Sequence, residues 1–237
     1  MKGLLFLISS RQCNYPIPNQ KSELNLAKYL WERDDRDYIL SVGKMNEQKI
    51  EVKSELTLAK YLWERDDRDF ILSVGKNNEQ KTEVKIHKLI LASRSPVFDR
   101  MLQTEMKEKS EGKVEIIDFD PETVKIAVEF FYDREIDECL NVGLLIDLLQ
   151  FAEKYDVQDL KGKTEIILCK KLRPHNICQI SNGSVISNAT MLKDACIQTM
   201  LFYMNKKIPF DEAITLNKNF SAEVIHAGSL LVENRLQ

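Results

Sequence analysis

No apolar run in this chain of 237 residues approaches the roughly 18 residues a membrane span needs. A membrane is therefore not an expected partner. Histidine is scarce, with three residues at positions 87, 175 and 226. None stands at ligand spacing from the five cysteines at 13, 139, 169, 178 and 196, which include no CxxC pair. No metal site is expected, because tetrahedral sites draw on such spacings. An odd, scattered set of cysteines fits reduced, mostly buried thiols better than a disulfide framework. Excess charge is missing too: 34 Lys+Arg against 37 Asp+Glu leaves a net −3. That gives no basic face and excludes nucleic acid as an expected partner. The opening apolar run, Leu4–Ile8, is shorter than the roughly 7–15 residues of a secretory h-region. The expected location is therefore cytoplasmic and/or nuclear. Three Asn-x-Ser/Thr sites, at Asn182, Asn188 and Asn219, would matter only in a secreted chain. No Gly-rich phosphate loop, GxSxG or HExxH occurs, so neither an enzyme nor a cofactor is expected.

What the chain does have is size for one or two domains with a sizeable core, and two loud local features. The first is Ile86–Met106. Ser95 before Pro96 reads as a helix start, because serine caps free N–H groups and proline fits the first helical position. Phe98, Met101 and Leu102 follow at i, i+3 and i+4 on one apolar face. Upstream, Leu89-Ile90-Leu91-Ala92 is wholly apolar, so the helix pair should be buried.

The second feature is a repeat. Ser22–Lys53 and Ser54–Lys85 are adjacent and differ only at Asn25/Thr57, Tyr38/Phe70, Met45/Asn77 and Ile50/Thr82. Solenoid repeats share a pattern and are far more diverged. A recent tandem duplication and an error in gene assembly both account for the near-identity. Each copy reads as a helix followed by a hairpin. In the second copy Leu56, Leu58, Ala59, Leu62 and Trp63 predict a helix over Glu55–Glu64. Arg65–Asp69 reads as a solvated charge run, with Arg65 and Arg68 interleaving three aspartates. Phe70–Val74 and Lys81–Ile86 read as strands around a turn at Gly75–Gln80. Further on, the pattern predicts a strand at Val114–Ile117 and a helix from Pro121 to Phe131. Later helices are predicted at about Val157–Lys171, Asn176–Ser187, Ala189–Asn205 and Ala222–Leu231.

The string His87, Lys88, Leu89–Leu91, Ala92, Arg94, Ser95, Pro96 and Phe98 resembles the BTB (POZ) domain. That family's pattern runs His-Lys, an apolar triplet, Ala, x, Arg-Ser-Pro, x, Phe. The resemblance is closest to the speckle-type POZ and MATH-BTB proteins. It continues at Phe131-Tyr132 and at Leu148–Tyr155, which is similar to the family's Leu-Leu-x-x-Ala-x-Lys-Tyr helix. The helical tail resembles the 3-box, the start of a BACK domain. The resemblance implies an α+β fold: a helical cluster flanked by a short sheet, extended by a small helical region. The expected organisation is an unassigned segment 1–21, a surplus repeat copy 22–53, and a BTB core 54–137. The closing BTB helices and extension would cover 138–207, followed by a helical tail 208–237. Only the second copy runs into His87, so the first should be surplus and residues 1–53 less ordered than 55–205.

The resemblance also implies a protein-binding module. Dimerisation, with itself or with related BTB proteins, would use Leu58, Leu62 and Trp63 as anchors, because large apolar side chains carry most of such energy. Asp69 and Lys88 match an acidic and a basic residue that form a charged pocket near the family's dimer axis. A structural pair at the interface is the main reading, and ligand binding the lesser one. His87 reads as a core histidine satisfied by a backbone partner. Met106-Lys107-Glu108 matches the hydrophobic-x-Glu element of cullin-3-binding relatives, with Met106 filling an apolar site and Glu108 fixing the loop. A solvated linker over Lys107–Lys113 is the plainer alternative. The implied role is a substrate adaptor of a cullin-3 ubiquitin ligase, its substrate protein unknown. The family's N-terminal MATH domain has no counterpart in the sequence, so either an unrecognised surface binds substrate or the chain is a fragment of a longer gene. The alternative role is an oligomerisation protein without ligase activity.

Overall fold

The computed structural model describes residues 57–75, 81–103 and 112–233, with side chains to 229. The first repeat copy and the Met106-Lys107-Glu108 element lie outside the described residues. The described chain is α+β. It opens with a short helix α1 (Leu58–Trp63), then a hairpin of β1 (Phe70–Val74) and β2 (Thr82–Ile86). Two helices follow at once, α2 (Lys88–Arg94) and α3 (Pro96–Gln103). Strand β3 (Lys113–Ile116) precedes α4 (Pro121–Phe131), α5 (Val142–Lys154) and α6 (Gln158–Lys170). The helical part ends with α7 (Ile177–Ile186), α8 (Thr190–Lys206) and α9 (Lys218–Glu233).

The sheet has the order β2-β1-β3. Strand β1 lies in the centre, antiparallel to β2 with Leu72 opposite Val84, and parallel to β3 with Leu72 opposite Val114. Phe70, Leu72 and Val74 are all buried, as a central strand covered by helices requires. Strand β3 begins one residue earlier than the sequence pattern suggests, and Ile117 stands outside it, exposed.

Helix boundaries follow local capping chemistry. Thr57 Oγ1 accepts from the Lys60 N–H at 3.2 Å and starts α1. Helix α1 therefore begins later than its apolar pattern suggests, while Glu55 and Leu56 lie outside the described residues. Ser95 Oγ accepts from the Phe98 N–H at 3.2 Å, so the expected Ser-Pro helix start is present. Helix α5 starts well before Leu148, at Asn141, whose side chain accepts from the Leu144 N–H at 2.9 Å.

One hydrophobic core joins the sheet to the last helices: Leu72 and Ile86 belong to the same cluster as Met200 and Phe220. Gly183 of α7 marks a close approach to α5, because a Cβ there would meet Ile146 Cγ2 at 2.9 Å. Only glycine lets α7 lie this near α5. The helical extension is thus packed onto the preceding domain as part of one body.

Candidate interaction surface

Helix α1 and the loop after it form a layer pinned to the domain by polar contacts. Ala59 is buried, while Leu58 is 41% and Tyr61 49% exposed. These two make an outward pair at i, i+3, while Leu62 is partly buried and packs against the core. Trp63 turns the other way. Its ring meets Tyr132 edge-on at 5.3 Å, and the guanidinium of Arg134 stands 4.9 Å from its centre. That geometry suits attraction between a cation and the negative ring face. Arg68 lies over both rings and donates to the Trp63 carbonyl at 2.8 Å. Of the anchors expected for a partner, Leu58 faces outward, while Leu62 packs against the core and Trp63 is engaged within its own chain. Tyr61 completes the outward pair; the sequence reading did not single it out, although its i+3 spacing from Leu58 was visible.

The charged loop Arg65–Asp69 is exposed at Arg65, Asp66, Asp67 and Asp69, as a solvated run should be, and two of its carboxylates also reach the start of α2. Arg65 does form an exposed fork with Asp67 at 2.6–3.0 Å. The same carboxylate, however, reaches His87 Nε2 at 3.2 Å. The Arg65 guanidinium, then His87, holds Asp67 well below the usual carboxylate range. Asp69 Oδ1 accepts from the Lys88 backbone N–H at 2.8 Å, at the start of α2. Asp69 and Lys88 do meet, through the lysine's backbone, while the Lys88 ammonium sits 5.8 Å from the centre of the Phe70 ring. A carboxylate on a helix's first turn also suits the helix dipole.

His87 is buried, but its side-chain partner is not backbone, which corrects the expectation. Its Nδ1 lies 2.7 Å from Tyr132 Oη, and the same hydroxyl accepts from the His87 backbone N–H at 3.1 Å. An ionised carboxylate can only accept, so the proton between Asp67 and the ring sits on Nε2; in the neutral ring Nδ1 then accepts from the Tyr132 hydroxyl. Burial raises the Tyr132 hydroxyl above its ordinary value, so it stays protonated in this role.

Arg94, Ser95, Pro96 and Phe98 act as a fastener between helices. The Arg94 guanidinium donates to the Phe131 carbonyl at 3.1 Å and pairs with Asp133 and Asp159. Asp133 takes a left-handed conformation (φ 60°) just past α4, where it also accepts from Thr57 Oγ1 at 2.6 Å. Ser95 Oγ donates to the Tyr155 carbonyl. Pro96 opens α3, and Phe98 stacks on Tyr155 with centroids 4.3 Å apart. The motif therefore ties α2 and α3 to α4, α5 and α6. Among the described residues no group of three His, Cys, Asp or Glu could hold a metal. The ionisable groups named here are engaged in structural pairs.

A layer of this kind, a helix and hairpin fastened over a helical cluster through His-Lys and Arg-Ser-Pro-x-Phe residues, agrees with what the family comparison finds. The BTB/POZ domain family matches residues 58–172. This stretch of the chain is a BTB/POZ domain. It runs from the first residue of α1 to just past α6, and such domains are protein–protein interaction modules. The chain is 34% identical over 148 residues to the BTB and MATH domain-containing protein 40 of Caenorhabditis elegans, covering 62% of this chain and 36% of that one. It is 32% identical over 120 residues to the TD and POZ domain-containing protein 4 of Mus musculus, covering 51% and 32%. The chain thus spans about a third of the length of these two relatives. Among solved structures, the BTB domain of human gigaxonin aligns with a TM-score of 0.38 and 22% identity, covering 57% of this chain and all of that one. No MATH domain is detected in this chain.

Proposed function

We propose that the chain is a dimeric substrate adaptor of a cullin-3 ubiquitin ligase, working in the cytoplasm or nucleus. The observation that carries this reading is Met106-Lys107-Glu108, a hydrophobic-x-Glu element three residues beyond α3 of a BTB/POZ domain. The helical extension packed onto that domain supports it, with Ile186, Ile214 and Ile225 exposed for contact. The mechanism is proximity alone. One surface holds the cullin arm and another holds a substrate protein, which raises the substrate's effective concentration near the ubiquitin donor. The exposed Leu58 and Tyr61 of α1, backed by Leu62, form the dimer contact, with Asp69 and Lys88 supporting α2 beside it.

Met106→Ala with Glu108→Ala is the test. It weakens capture of cullin-3 in a pull-down while the oligomeric mass by light scattering stays unchanged. Equal capture by the double variant removes the assignment. A second reading, supported by the match to a BTB/POZ domain, is an oligomerisation protein that pairs with BTB relatives and modulates them. It retains BTB partners in the same pull-down and leaves cullin-3 in the flow-through.

A further inference from the structure

Among the described residues Tyr61 is the one exposed tyrosine: Tyr132 and Tyr155 are buried and Tyr203 is half-buried. It stands on the outward face of α1 beside Leu58, with its hydroxyl held at an arginine. Arg65, one helical turn on, donates from Nη1 to Tyr61 Oη at 3.3 Å. Its guanidinium also lies 5.9 Å from the centre of the same ring. The rest of that guanidinium forks onto Asp67 through Nε and Nη2. Every member of this chain is open to water, the Arg65 side chain at 45% and the Asp67 side chain at 54%. Exposed ion pairs of this kind add little to stability, so Arg65 can change partner at small cost.

We propose that Tyr61 is a phosphorylation site, and that a phosphate there stops α1 from packing on a second copy of the chain. The second half rests on the dimer contact proposed above. In the transfer a tyrosine kinase supplies the γ-phosphoryl group of ATP. The Tyr61 oxygen bonds to the γ-phosphorus, the γ-phosphorus parts from its bridging oxygen, and ADP and the hydroxyl proton leave. The product carries a charge of about −1.5 to −2 and three strong acceptor oxygens. Arg65 stands where it can meet them, because a guanidinium forks onto a phosphate as it does onto the Asp67 carboxylate. Asp67 keeps its contact with His87 Nε2, so the loop stays tied to the start of α2. The outward face is what changes. Leu58 and Tyr61 no longer offer an apolar surface, and burying a charged phosphate against a partner is costly. A two-fold dimer uses the same patch twice, so that cost falls on both copies.

The test uses the full chain with Tyr29→Phe, which removes the tyrosine that matches Tyr61 in the first repeat copy. The chain is incubated with Mg2+, ATP and a tyrosine kinase domain chosen because it labels the free peptide Thr57–Arg65. Mass spectrometry of the digest then locates the phosphate. Tyr61 is labelled in the native chain, and Tyr132 and Tyr155 only after unfolding. Label on the free peptide but none on Tyr61 of the native chain overturns the site. Light scattering reads the switch. The unmodified chain has the mass of two copies, phosphorylation weakens the dimer by about tenfold or more, and a phosphatase restores it. A fully phosphorylated chain that dimerises as tightly as before overturns the switch and leaves the dimer contact standing. An unmodified chain with the mass of one copy overturns the dimer contact and the switch with it, whatever the labelling shows.

Discussion

Tyr132→Phe isolates the polar link on which the α1 layer depends. The phenyl ring keeps the edge-on contact with Trp63, so the substitution removes one oxygen and little packing. That oxygen serves both the His87 backbone N–H at 3.1 Å and His87 Nδ1 at 2.7 Å. Losing it strands a buried donor and a ring nitrogen, with the histidine buried and the tyrosine fully so. Leaving a buried polar group unpaired costs about 1–3 kcal/mol. Two such groups, offset in part by the apolar gain, give a net loss of about 2 kcal/mol. For a domain of this size that is a drop of roughly 4–8 °C in Tm. Urea unfolding followed by circular dichroism reads it as a lower midpoint at unchanged slope. A loss under about 0.5 kcal/mol, the range of ordinary surface changes, would refute the assignment of Tyr132 as the partner that satisfies His87.

Other consequences follow from the same contacts. Arg94→Lys loses the planar fork that reaches the Phe131 carbonyl, Asp133 and Asp159 together, and should cost about 1–3 kcal/mol in urea unfolding; a neutral result contradicts the fastener role. Burial raises the Glu165 carboxyl above its usual range, though its Oε2 accepts from the Leu192 N–H at the start of α8. An acid whose folded pKa is raised contributes stability below its unfolded pKa and loses it as pH rises through the folded value. Glu165→Gln, which keeps an acceptor, should therefore gain on the unmodified chain between pH 4 and pH 7; an offset independent of pH goes against the burial cause. Cys139 is exposed, while burial pushes the Cys196 thiol up to about 12. Iodoacetamide should label Cys139 in the native protein and reach Cys196 only on unfolding, as mass spectrometry of the digested chain will show.

The fold was legible where local pattern and tertiary role agree. Strand β1 was readable to the residue, because a run of apolar residues between a charged stretch and Gly75 has few other solutions. The Ser95-Pro96 start of α3 was legible for the same reason: its cap is three residues from its donor. Helix α5 begins at Asn141, where the signal was a single cap residue. The contacts of the exposed loop Arg65–Asp69 were not legible because its partners are remote. Asp67 finds His87 twenty residues on, and His87 finds Tyr132 forty-five residues on. No periodicity announces such pairs. Trp63 was legible as a large apolar residue on α1, but which face it covered depended on Arg134 and Tyr132 coming to it. The Met106-Lys107-Glu108 assignment rests on family resemblance alone, since three residues carry no period of their own, and the element lies outside the described residues.

The proposed adaptor role requires this BTB/POZ domain to dock a cullin arm through the segment after α3. Isothermal titration of the intact chain with the N-terminal region of cullin-3 is the decisive measurement. Saturable binding at one cullin per chain is expected, abolished or weakened at least tenfold by Met106→Ala with Glu108→Ala. No heat of binding from a chain shown by light scattering to be folded and of defined mass would rule the role out.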